Sequence, residues 1–161
     1  MKQVDKDGVQ RLSNFDAARF IFNESHRAPL GLRYDAFFAD YDLVPLMVAQ
    51  NYPSAIKPLR PGEDPEKMME RLTRAADAVV DMDVCDRAVR AEQRWDLLST
   101  HAMLNVRTAH IANGSIGFPG FPEWLGKNSA RSKRTRLLSD LSKHLRQAAS
   151  VDVAGLRLDY F

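Results

Sequence analysis

Apolar residues return every three or four positions along most of the chain, and no segment shows the strict alternation of a half-buried strand. Asn14 is placed to cap a short helix with Phe15, Ala18 and Phe22 on one face. His26 to Arg33, with Pro29 and Gly31, reads as a loop, and Phe37, Phe38 and Tyr41 follow as a bulky cluster at helical spacing. Asp42 is expected to cap a second helix that turns Leu43, Leu46 and Met47 inward and ends at Pro53. From Pro53 to Pro65, four prolines and one glycine predict a surface loop. Asp64-Pro65 then gives a strong helix start, a capping carboxylate followed by proline at the first helical position. Met68, Leu72, Ala75, Ala76 and Val79 line that helix. A further helix is expected from Asp83, with Val84, Ala88, Ala91, Trp95, Leu98 and Ala102 as one continuous stripe. After an irregular segment from Asn113 to Pro122 and a short turn at Trp124-Leu125, Asn128 or Ser129 caps a last long helix. Leu138, Leu141, Leu145 and Ala148 form its inner face.

The pattern therefore predicts an all-α bundle of about five to six helices spanning residues 14–161, after a flexible or expression-derived leader at 1–13. Val153 to Phe161 begins another element at the chain's end, so the domain is expected to be truncated there.

Composition changes this picture little. A chain of 161 residues suits one domain, and no apolar run is long enough to span a bilayer. Met1 to Arg11 lacks the apolar stretch of a secretion signal, so the acceptor-like strings Asn23-Glu24-Ser25 and Asn113-Gly114-Ser115 are read as chance matches. Cys85 is the single cysteine, which excludes an internal disulfide and fits a reducing compartment. The net charge of +2 conceals an uneven spread. Acidic residues gather at Glu63, Asp64 and Glu66 and from Asp77 to Asp86, while Lys127 to Arg146 is basic.

Catalytic constellations are hard to build from these residues. Gly120 to Asn128 imitates a phosphate-binding loop, but its glycines are one residue too far apart and Asn128 stands where a hydroxyl is needed. His26, His101, His110 and His144 have no metal-ligand spacing, and Asp140 with His144 supplies only two ligands. Cys85 reads as a small buried hydrophobe, and Asp81, Asp83 and Asp86 as capping and dipole-compensating carboxylates. The basic run Lys127, Arg131, Lys133, Arg134 and Arg136 suits phosphate contacts, against the plainer reading of a solvated face. Trp95 and Phe38 are candidates for stacking on unpaired bases, although an aromatic on an apolar stripe is ordinarily core.

Several strings, in order, resemble the C-terminal domain of the replication factor C large subunit. They are Phe37-Phe38-Ala39-Asp40-Tyr41-Asp42-Leu43-Val44-Pro45-Leu46 with Gln50-Asn51-Tyr52, then Ala75-Ala76-Asp77 and Gln93-Arg94-Trp95-Asp96-Leu97-Leu98. Phe121-Pro122-Glu123-Trp124-Leu125-Gly126-Lys127-Asn128-Ser129 is the most distinctive, and Leu156-Arg157-Leu158-Asp159-Tyr160 closes the match. Ser99 departs from a usual proline and Gln50 from a usual glutamate.

The resemblance implies a helical collar, the oligomerisation domain through which five related subunits of a nuclear clamp loader pack. Small subunits, a sliding clamp and primer–template DNA are the implied partners, in replication and repair, with no membrane. ATP and magnesium would belong to ATPase modules outside this segment, so no cofactor and no catalysis are expected within it. A stand-alone DNA-binding module using the basic strip from Lys127 to Arg136 is the alternative. A small hydrolase is disfavoured, for want of a nucleophile–base pair or a metal pattern.

Overall fold

The computed structural model describes residues 12–24, 26–58 and 61–145. Among these described residues six α-helices follow in order: α1 (Asn14–Asn23), α2 (Leu30–Phe37), α3 (Val44–Ala55), α4 (Pro65–Ala91), α5 (Leu98–Ala112) and α6 (Glu123–Leu145). A 3₁₀ turn, Trp95–Leu97, leads into α5, and the described residues contain no strand. The all-α expectation is therefore met. Of the expected leader at 1–13, residues 1–11 lie outside the described residues, as do Ala148 and the segment from Val153 to Phe161, while Ser13 belongs to the start of α1.

The chain divides into two compact units, Met1–Phe121 and Pro122–Phe161. In the first, Ala17, Ile21 and Phe22 of α1, Ala36 of α2, Val44 and Val48 of α3, and Ala109 and Ala112 of α5 close on one core. Helices α4 and α5 make the most extensive pair. Both helices bury small residues, Ala75 and Ala78 on α4 and Ala102 and Ala109 on α5.

Several helix boundaries differ from those the sequence suggested. Ser13, not Asn14, caps α1, its side chain accepting from the Asp16 N–H. Residues 30–33, read as loop, form the first turn of α2, because Pro29 supplies a fixed φ at the entry. Leu43, not Asp42, is the N-cap of α3, with no side-chain cap; Asp40 Oδ1 accepts from the N–H groups of Asp42 and Leu43 in the turn before it, and Asp42 pairs with Arg90. Pro53 lies inside the last turn of α3 rather than ending it.

The largest difference concerns α4. Its start is as read, with Asp64 capping through the Glu66 N–H and Pro65 at the first position. It then runs unbroken through Asp83 to Ala91, since no glycine or proline interrupts it. Its buried residues are Ala75, Ala78, Met82, Cys85 and Val89, spaced alternately by three and four. The expected stripe through Val84 is rotated away, and Val84 is 60% exposed. The carboxylates assigned to capping sit mid-helix and pair with arginines instead: Asp81 with Arg107, Asp83 with Arg87 and Asp86 with Arg90.

Helix α6, in the second unit, begins at Glu123 and absorbs the expected Trp124-Leu125 turn and the proposed caps Asn128 and Ser129. Gly126 to Asn128 is thus helical, and the glycine-rich string cannot form a phosphate-cradling loop. Leu138 and Leu145 are half-buried, while Leu141 is exposed.

Candidate nucleic-acid interface

At one end of the first unit, two connections carry exposed aromatic rings. The α2–α3 connection holds Phe38, 41% exposed, and Tyr41, 39% exposed. Phe38 is the C-cap of α2, where the chain leaves the helix, so its ring turns outward while Phe37 stays fully buried. The Phe38 ring packs at 5.2 Å from Tyr34 and at 5.0 Å, edge-on, from Phe37.

The α4–α5 connection holds Trp95. Helix α4 ends as Gln93 takes a left-handed φ of 57°, which swings the backbone into the 3₁₀ turn. Trp95 therefore leaves the apolar stripe on which the sequence placed it and is 48% exposed. Gln93 also holds the indole, its Oε1 accepting from Trp95 Nε1 at 3.2 Å, while its Nε2 donates to the Arg90 carbonyl at 2.7 Å. Arg94 and Asp96 pair on either side of Trp95 at 2.9 Å.

Arg90 ties the two connections together. Its Nη1 reaches Asp42 at 2.7 Å, and its Nε reaches Asp86 at 2.9 Å. Both carboxylates raise the pKa of the guanidinium, Asp86 first. Beneath this pair lies His101, 1% exposed, with its ring 5.2 Å from Phe37 and Nδ1 3.7 Å from Asp86. Burial lowers the His101 pKa more than Asp86 raises it, and the neighbouring Arg90 lowers it further. Cys85 is buried close by, its Sγ 3.6 Å from the Leu97 carbonyl, and burial raises its pKa. It packs as a small hydrophobe, and no reactive environment surrounds it.

The basic candidates are on α6, in the second unit. Lys127, Arg131, Lys133 and Arg134 are all exposed, and Lys127 pairs with Glu123 at 2.9 Å. One continuous helix sorts them by spacing: Lys127, Arg131 and Arg134, four and three residues apart, share one side. Lys133 and Arg136 form a separate pair on another side, so the run does not make a single strip. Among the described residues no group of three or more His, Cys, Asp or Glu side chains could hold a metal ion. No described helix is long and apolar enough to cross a membrane.

Four polar residues important to this architecture escaped the sequence reading in these roles. Gln93 orients Trp95, Arg90 links the connections, and Asn51 fixes a loop. Asn51 Oδ1 accepts from the Gly120 N–H at 2.7 Å, and its Nδ2 donates to the Gly120 carbonyl at 2.8 Å. Asn23 treats Ile116 the same way, at 2.8 Å and 3.1 Å. The only hint in the sequence was that Gln93 and Asn51 stand within the strings that carried the resemblance.

The described residues of this unit are thus all-helical or irregular, with exposed aromatic rings on two of its connections. Residues 79–161 match the family model described as Replication factor RFC1 C terminal domain, and the chain belongs to that family. It is 35% identical over 155 residues to Replication factor C subunit 1 of Homo sapiens, covering 93% of this chain and 13% of that protein. The protein of the same name from Saccharomyces cerevisiae is 36% identical over 131 residues, covering 77% of this chain and 14% of the relative. In Drosophila melanogaster the identity is 32% over 154 residues, with 93% and 15% covered. The chain thus spans only about a seventh of the length of the curated relatives it matches.

Proposed function

We propose that this chain is the collar segment of a clamp-loader large subunit, whose helices pack against small subunits and whose exposed aromatics meet primer–template DNA. The observation that carries the reading is the exposure of Trp95 and Phe38 on two connections that the Arg90–Asp42 ion pair ties together. A ring held half out of the protein by a polar clamp suits stacking on an unpaired base, worth about 1–3 kcal/mol per contact. Loading of a sliding clamp, ATP and magnesium use by other domains, assembly into a pentamer and nuclear work in replication and repair belong to the same proposal.

A second reading, a stand-alone DNA-binding module, draws on α6. Arg131, Lys133 and Arg134 are exposed cations that form no ion pair among the described residues. Co-expression with the small subunits of a clamp loader, followed by native mass spectrometry, separates the two. Stoichiometric incorporation supports the collar; failure of the folded chain to associate, with tight salt-sensitive binding to primed DNA alone, supports the module. In the assembled complex, Trp95→Ala should weaken capture of primed DNA while leaving assembly intact. Because the ring is half-exposed, the stability cost should be about 1–2 kcal/mol rather than the roughly 3–5 of a fully buried aromatic.

A further inference from the structure

Beneath the Arg90 bridge stands a buried titratable ring with no partner. His101, near the start of α5, has both ring nitrogens buried and without a hydrogen bond among the described residues. Buried polar atoms left bare are rare and costly. Its Nδ1 lies 3.7 Å from Asp86 Oδ1, beyond a hydrogen bond but within reach of one after a small side-chain shift. Both oxygens of Asp86 are meanwhile 2.9 Å from Arg90 Nε, and the same guanidinium reaches Asp42 through Nη1 at 2.7 Å. Asp86 therefore lies between two basic groups and is held by only one of them.

Few charges reach this ring. Asp86 and Arg90, both on α4, are the charged groups that act on it. Helix α2 faces it with the uncharged ring of Phe37, and α3 carries no charged residue. Asp96 in the 3₁₀ turn is taken up by Arg94, and Asp16 and Arg19 of α1 pair with each other at the surface. Burial first, then Asp86, keeps the neighbouring Cys85 thiol protonated.

We propose that Arg90 and His101 compete for Asp86, so that loosening of the Arg90–Asp42 bridge and uptake of one proton by His101 are a single event. In the closed arrangement the imidazole is neutral, Asp86 fixes Arg90, and the connections carrying Phe38 and Trp95 are tied. In the open arrangement the imidazolium donates to Asp86 and repels the guanidinium beside it. What remains, one pair to the exposed Asp42, is a surface ion pair of small worth, and the two connections are free to separate. The sign follows from the charges. Burial is the main force keeping the closed ring neutral; Asp86 opposes it and Arg90 adds to it. Withdrawing Arg90 from Asp86 removes an opposing charge and frees a favourable one, so the open form binds the proton more tightly. Acid therefore opens the bridge, and by reciprocity whatever pulls Arg90 away raises the His101 pKa. The coupling belongs to the unit itself and does not rest on the clamp-loader reading.

The test is NMR on the whole 161-residue chain as pH is lowered from neutrality. It follows the His101 ring, the Arg90 Nε–H, the Phe38 ring and the Trp95 indole N–H, with Trp124→Phe to assign the indole. The expected result is one shared midpoint below 6.5 for all four probes, while the backbone amides of α1 and α5 keep their native shifts. Exchange of the Arg90 Nε–H with solvent should rise roughly tenfold across that step. In His101→Gln the steps at Arg90, Phe38 and Trp95 should vanish. Should that variant not fold, the half-exposed Arg90→Gln carries the comparison: His101 should titrate at higher pH, with no step at either aromatic ring. Titration of His101 without a change at Arg90 and Trp95, protonation only together with loss of the native amide spectrum, or a step at the aromatic rings that survives in either variant overturns the proposal.

Discussion

Gly114 shows how a single residue can be dictated by a neighbouring backbone. A Cβ at this position would overlap the Ala55 carbonyl, so the loop after α5 lies directly against the end of α3. Gly114→Ala is expected to cost about 1–3 kcal/mol, read as a lowered denaturation midpoint, because backbone rather than a pliable side chain must move. Asn113, immediately before it, takes a left-handed φ of 50° as the C-cap of α5, a conformation asparagine tolerates. His101 makes a prediction of a different kind. Its native pKa lies below the ordinary 6.5, so the unfolded chain binds the extra proton. Its contribution is fully present above pH 6.5 and is lost as pH falls from there towards the lowered native value. Urea midpoints of the wild type should therefore drop between about pH 7 and 5 more steeply than those of His101→Gln. Parallel slopes would show that His101 does not drive the acid limb.

At the scale of elements, the sequence conveyed helix existence better than helix limits. The entry of α4 was legible because Asp64-Pro65 combines two independent signals, and Asp64→Ala should lower stability by about 1 kcal/mol in thermal or chemical melts. Its length was not legible, because Asp81, Asp83 and Asp86 resemble a cap when their partners are unknown. Two of these pairings lie within α4, but Asp81 meets Arg107 across the α4–α5 interface, and only tertiary structure reveals that. Trp95 was misplaced for a related reason. Spacing alone continued the stripe through it, whereas the left-handed Gln93 ends the helix and turns the ring outward. Glutamine carries no sequence signature for that conformation, as a glycine would have. The two aromatics could thus be named from the sequence, but the reason they are exposed lay in backbone geometry.

For the whole molecule, the all-helical class followed from the three-to-four-residue return of apolar positions, and the family from the order of short strings, each weak alone. The basic run was legible as charge but not as geometry, since the continuous α6 divides it between two sides. Replacing Lys127, Arg131 and Arg134 together by glutamine is expected to weaken binding to primed DNA and flatten its salt dependence. Each lost phosphate contact removes about 0.7–0.9 from the slope of log K against log salt, so a change of roughly 2–3 is expected from all three. An unchanged slope would assign that side of α6 to solubility. The asparagine clamps have a consequence for the order in which the chain assembles. Asn23 and Ile116 are 93 residues apart, and Asn51 and Gly120 are 69 apart. Closing such distant contacts is slow, and neither clamp can form before α1 and α3 have settled on α5. The stretch from Ile116 to Gly120 is therefore a late-setting seam. Its two clamped amides should keep exchanging with solvent after the helices have stopped, and a tether on that stretch would read the last event of folding rather than the first.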